Sequence, residues 1–206
     1  MATTAMLHGG WAIVLGAAVY WFGAGRRAWV RWLVVLMTVA LCLVPGPPSP
    51  VYWLGLMFQA PSLMSAVLCL AYVMRQGRLP SRGRAWLVLG ITGLVLSGVL
   101  LLDMLAWWPV SVYAWGFSTA ALALVCLVWA CFWLLWWGRH DGLEVTLLLA
   151  AVVVVFVLTR LPTGNVWDAV LDPWLWLVLL VRFAMRGARR VGRRLTSRPG
   201  SPPTRA

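Results

Sequence analysis

Long apolar runs alternate with short polar breaks along the whole chain, and the breaks differ in kind. The first run, His8 to Phe22, comes before Arg26, Arg27 and Arg31. The second, from about Ala28 to Val44, stops at Pro45-Gly46-Pro47-Pro48-Ser49-Pro50, where too many backbone donors are missing for a helix to continue. A third helix is predicted from about Val51 to Met74, kinked near Gln59 by Pro61. The segment Arg75 to Arg84 then carries arginines at 75, 78, 82 and 84 and no acid. A fourth helix, about Ala85 to Trp107, passes Asp103 before the turn Trp108-Pro109-Val110-Ser111. A fifth, rich in tryptophan, reaches Trp137. After the mixed loop Gly138 to Glu144, a sixth helix is predicted over Val145 to Thr159 and a seventh over about Val166 to Ala184.

A bilayer's hydrocarbon core takes roughly 20 helical residues to cross. The pattern therefore predicts an all-α, polytopic transmembrane helix bundle over residues 1–185 with about seven crossings. A six-crossing alternative lays the first or last segment in the interface. Residues 186–206 form a basic, partly disordered cytoplasmic tail. Orientation follows from the arginines, because basic residues are retained on the cytoplasmic side. With the N-terminus outside and the C-terminus inside, every arginine except Arg160 falls at or near the cytoplasmic face. Tryptophans gather at both expected interfaces: Trp29, Trp32, Trp86, Trp136 and Trp137 at inner ends, Trp53, Trp107, Trp108, Trp115, Trp167 and Trp174 at outer ends.

Composition strengthens this picture. The chain is 63% hydrophobic and only 11% charged, which belongs to membrane proteins and not to soluble domains. A net charge of +12 would fit a nucleic-acid binder, but the positions of the arginines give it a topological meaning instead, and no nucleic-acid partner is expected. No basic residue precedes the first run, so that run reads as an uncleaved helix and not a signal peptide. Cys42, Cys69, Cys126 and Cys131 lie in apolar segments without a paired spacing, as buried thiols do.

Several activities are excluded by residue type. Without lysine there is no retinal Schiff base, and two histidines on opposite sides cannot hold a haem together. Phosphate-cradling and nucleophile-elbow motifs are missing. No metal, cofactor or catalytic residue is expected.

Polar side chains concentrate instead at Thr159 to Pro173. Asn165 can cap a helix start, with Asp168 at the third position completing a capping box, and Asp172 can cap again before Pro173. Arg160 is close enough in sequence to pair with either acid, and Asp103 at the outer end of the fourth helix can join them. These five residues form the candidate polar cluster, structural or binding. Gln59 beside Pro61 is a candidate gate, since a kink exposes a carbonyl to a polar partner. Arg186, Arg189, Arg190, Arg193 and Arg194 recur on one helical face and are candidates for anionic lipid headgroups. Small residues on the fourth helix (Gly93, Ser97) and the fifth (Gly116, Ala120, Ala123, Ala130) predict close helix packing.

The helix centres hold no ionisable group of the kind that gradient-driven carriers use. The expectation is therefore a non-enzymatic, multi-pass protein of the bacterial inner membrane, an accessory or scaffold subunit of a cell-envelope assembly or export complex that contacts lipid and other membrane proteins. The alternatives are a carrier of small or lipid-linked molecules and, third, an intramembrane enzyme acting on lipids.

Overall fold

A computed structural model describes residues 2–78, 83–107, 109, 111–159 and 163–196. Among these residues the chain is all-helical: α1 (Ala2–Phe22), α2 (Ala28–Leu43), α3 (Pro50–Phe58), α4 (Leu63–Met74), α5 (Arg84–Met104), α6 (Val112–Trp115), α7 (Thr119–Leu135), α8 (His140–Thr159), α9 (Val166–Val170) and α10 (Pro173–Thr196).

Local chemistry sets most of the boundaries. The Ser49 hydroxyl accepts from the Val51 amide at 3.2 Å and Pro50 opens α3, so the proline run that ends α2 also starts the next helix. Ser62 caps α4 through the Ser65 amide (3.1 Å), Ser111 caps α6, and Ser118 caps α7 through the Ala121 amide (3.2 Å). Each hydroxyl or amide oxygen satisfies a backbone donor that the first helical turn leaves unpaired.

The helices have two distinguishable ends. At one, Arg31 donates through Nε to the Tyr20 carbonyl (2.8 Å) with its guanidinium over the Tyr20 ring, and Tyr20 meets the edge of Tyr72. At that same end Arg75 pairs with Glu144 at 2.9 Å, and the Trp86 indole donates to Glu144 at 3.4 Å. Gly90 of α5 lies against Phe183 of α10, which brings the basic half of α10 to this arginine end as well. At the opposite end, the rim, His8 Nδ1 donates to the Cys42 carbonyl (2.6 Å), the Trp11 indole to the Gln59 carbonyl (2.7 Å), and the Ser62 amide to Asp172 (2.9 Å). Helices α1, α2, α4, α5, α7, α8 and α10 join the two ends, whereas α3, α6 and α9 stay at the rim.

Three of these helices are long and apolar enough to cross a membrane: Thr4–Phe22 of α1, Arg84–Met104 of α5 and Gly142–Thr159 of α8. Ala28–Leu43, Leu63–Met74 and Thr119–Leu135 are apolar but shorter. The main core lies where α4, α5, α7 and α8 meet under α9, around Met64, Leu100, Phe132, Val145, Val152 and Trp167. A smaller core of Trp11, Ala12, Cys42 and Val51 ties α1, α2 and α3 together.

Three sequence expectations are corrected. The third segment is not one kinked helix: Gln59 takes φ 57° and ψ −146°, and α3 and α4 are separate. Pro61 contributes no backbone N–H and Ser62 restarts the helix, so the break spans several residues where a lone proline would only bend it. The fifth segment likewise starts as α6 and turns at Gly116–Ser118 before α7. The seventh divides into α9 and α10 at Leu171 and Asp172, with Leu171 extended. Small residues also pack only in part as expected. Gly90 and Gly93 receive Phe183 and Leu179 of α10, but Ala120 and Ala123 on α7 are exposed. The four cysteines are free thiols.

Candidate functional site

The rim cluster assembles from three breaks in the helical pattern. Asp103, one residue from the end of α5, reaches forward to the start of α6. Its Oδ1 accepts from the Val112 amide (3.0 Å), and its Oδ2 from the Tyr113 amide (2.7 Å) and the Ser111 hydroxyl (3.2 Å). A carboxylate thus fills the donor end of a four-residue helix too short to hold itself in place.

Asn165 is fully buried and does two jobs. Its Oδ1 caps α9 through the Trp167 amide (2.9 Å), and its Nδ2 donates to the Tyr113 carbonyl (3.1 Å). The Val166 amide donates to the Gly116 carbonyl (3.0 Å), and the Trp167 indole to the Val112 carbonyl (3.1 Å). Gly116 is obligatory here, because a Cβ at that position would overlap Asn165 and Trp167. Residues 111–118 and 163–171 are therefore locked face to face.

Asp168 departs from the predicted capping box. Its carboxylate does not return to the Asn165 amide, which takes Thr163 Oγ1 (3.4 Å) instead. Asp168 accepts the Tyr113 hydroxyl at 3.0 and 3.1 Å. Burial raises the Tyr113 pKa, and the Asp168 charge and hydrogen bond raise it further, against a lowering contribution from Asn165. The phenol is held in its neutral, donating form.

Asp172 closes the arrangement. Its Oδ1 caps α10 through the Leu175 amide (2.6 Å), and its Oδ2 accepts the Ser62 amide (2.9 Å) at the start of α4. The two stretches singled out separately in the sequence, Gln59–Ser62 and the Asn165–Pro173 segment, meet at this carboxylate. On the other side of the break, the Gln59 carbonyl accepts from the Trp11 indole, and Gly10 lies against the Pro61 ring.

Asp103, Asn165 and Asp168 therefore converge on Tyr113, Asp172 instead joins the start of α10 to Ser62, and Arg160 lies outside the described residues. In the tail, α10 carries the backbone of all five arginines, so Gly187 does not end the helix. Arg186 lies 5.9 Å from the Phe183 ring and Arg189 is exposed, whereas the side chains of Arg190, Arg193 and Arg194 lie outside the described part. Sequence reasoning missed Tyr113, the Ser62 amide and the Arg75–Glu144–Trp86 group. Ser111 followed by a short apolar stretch was the one local signal for a cap near Tyr113; the other two depend on partners distant in sequence.

No group of three or more histidine, cysteine, aspartate or glutamate side chains among the described residues could hold a metal ion. The rim carboxylates act as acceptors for amides and hydroxyls, and that chemistry fastens chain segments together. Comparison with protein-family models, curated proteins and solved structures gives no match.

Proposed function

We propose that the chain is a multi-pass protein of the bacterial cytoplasmic membrane that acts, without catalysis of its own, as an accessory or scaffold subunit of a cell-envelope assembly or export complex. The supporting observation is the engagement of the rim acids: Asp103, Asp168 and Asp172 each accept bonds from a neighbouring segment. Groups committed in this way hold a surface in shape for a partner. In the proposed topology α1, α2, α4, α5, α7, α8 and α10 make seven crossings, the rim faces outward and the arginine end faces the cytoplasm. The short helices α3, α6 and α9 form the outward face, on which Trp53, Leu56, Met57 and Trp115 are exposed.

Two experiments test this reading. Purification in mild detergent from the native host is expected to bring down a stoichiometric membrane partner; recovery of the chain alone argues against a scaffold role. Pro48→Cys, at an exposed position of the proline run, is expected to react with an impermeant maleimide in intact cells, and the equally exposed Arg78→Cys only after permeabilisation. The reverse pattern inverts the topology.

One observation favours a second reading, a carrier for small or lipid-linked molecules. The breaks at Gln59–Ser62 and Leu171–Asp172 face each other at the rim, and carriers build substrate sites from interrupted helices. In this reading Gln59 and Pro61 form the gate, and the Ser62–Asp172 bond must open during transport. Substrate flux in proteoliposomes that responds to Asp172→Asn would move the assignment to a carrier.

A further inference from the structure

At the arginine end, the start of α2 meets the ends of α1 and α4, and one guanidinium there is held by the chain's own contacts. Arg31 donates through Nε to the Tyr20 carbonyl at 2.8 Å, and its Cζ lies 3.2 Å from the centre of the Tyr20 ring. Its stem runs beside Gly23. Tyr20 is itself buried, with the Trp32 ring at 5.3 Å and the Tyr72 ring at 6.1 Å. The cost of ordering a long side chain has therefore been met by folding, before any ligand arrives.

Two donors are left over. The Arg31 Nη nitrogens and the Tyr72 hydroxyl make no hydrogen bond to a described residue. Both border Gly77, where an added Cβ would stand 3.3 Å from Arg31 Nη2 and 3.4 Å from the Tyr72 hydroxyl oxygen. Gln76 and Gly77 take φ values of 52° and 82°, and the Gly77 amide donates to the Tyr72 carbonyl at 2.9 Å. This left-handed turn ends α4 and brings bare backbone up to the two donors.

No described carboxylate is set against them. Asp103, Asp168 and Asp172 are engaged at the rim, and Glu144 is taken by Arg75 and Trp86. Residues 79–82, which follow the turn, contain no acid. Asp141, whose side chain lies outside the described residues, belongs to the first turn of α8, two positions from Arg139.

We propose that Arg31 and Tyr72 form a binding site for a phosphate group, with the Gly77 backbone as its floor. The guanidinium fork matches phosphate oxygens, and the phenol adds a neutral donor beside it. Arg26, Arg27 and Arg78 are exposed at the same end and draw anions toward it. The phosphate belongs either to a phospholipid or to a soluble phosphorylated compound. Trp29 and Trp32, both exposed, suit the headgroup level of a bilayer. The site lies on other helices than the basic face of α10 and requires neither a scaffold nor a carrier role.

Native mass spectrometry of the full chain in mild detergent tests this, with phosphatidylglycerol and glycerol phosphate as separate probes. Wild type is expected to bind at least one of them. Tyr72→Phe and Arg31→Lys are each expected to weaken that binding about tenfold, and Arg189→Gln on α10 to leave it unchanged. Tyr72→Phe keeps the ring against Tyr20 and is expected to unfold at the wild-type temperature, so its loss of binding reads the hydroxyl alone. Phosphatidylglycerol that resists displacement by an equal concentration of glycerol phosphate assigns the site to a lipid; displacement assigns it to a soluble compound. Wild type that binds neither probe overturns the proposal, as does Tyr72→Phe that binds both as wild type does. An equal loss in Arg189→Gln also overturns it, since a diffuse charge effect then accounts for the binding.

Discussion

Asp172 and Ser62, separated by 110 positions, share a 2.9 Å hydrogen bond from the Ser62 amide to the Asp172 carboxylate, whose other oxygen caps α10 at 2.6 Å. One side chain thereby satisfies backbone donors at the starts of two helices. Asp172→Ala removes a cap, worth about 1 kcal/mol, and leaves the Ser62 amide without its charged acceptor, a further loss of about 1.5–3 kcal/mol. Unfolding in detergent is expected to show the combined loss, with Asp172→Asn intermediate. Asn165→Ala loses a cap and a buried donor together and is expected to cost about 2 kcal/mol.

Gly116→Ala is expected to be worse than its single methyl implies. The added carbon meets Asn165 and Trp167, both buried, so neither can move aside without breaking its own bond. Overpacking of this kind costs about 1–3 kcal/mol. Gly98→Ala, where the added carbon meets open space, is the control and is expected to be near neutral or slightly stabilising.

Gln59→Gly is expected to stabilise. A backbone at φ 57° and ψ −146° suits glycine and strains a residue with a Cβ, by about 1–3 kcal/mol. The bond from Trp11 reaches the Gln59 carbonyl and survives the change. A glycine variant less stable than wild type would show that the glutamine side chain holds the break together.

Tyr113 gives the rim an alkaline limit. Its folded pKa is raised above the ordinary 10.0, first by burial and then by Asp168. The folded state holds the phenolic proton more tightly than the unfolded chain does. Its contribution is therefore complete below the unfolded tyrosine pKa and is lost as pH rises through the higher folded value. Tyr113→Phe is expected to remove that alkaline loss of stability, and with it a phenolate absorbance step above the ordinary tyrosine range. Asp168→Asn is expected to lower the step toward 10.0 without removing it.

Local signals were legible in the sequence, and long-range ones were not. Asn165 and the Asp172–Pro173 pair announce helix starts by residue type and spacing, and both cap in the structure. The interruption at Pro61 was visible too, but the left-handed Gln59 was not, since nothing in glutamine's chemistry asks for that conformation. Asp168 misled because its spacing from Asn165 fits a capping box, while tertiary packing offered Tyr113, a donor 55 positions away. Hydropathy located the apolar segments, yet it overlooked the divisions at α3, α6 and α9. The largely buried five-residue helix α9 leads within two residues into the apolar start of α10. Composition cannot separate the two; only the caps can.

The Ser62–Asp172 bond also orders events in time. Synthesis runs from the N-terminus, so α4 is in place long before its acceptor has been made. Its first amide must wait for 110 further residues to leave the ribosome. The rim contact between α4 and α10 can close only after that, and a chain cut short before Asp172 leaves the start of α4 unlatched. Formation of that bond therefore marks the arrival of α10 beside α4 at the rim.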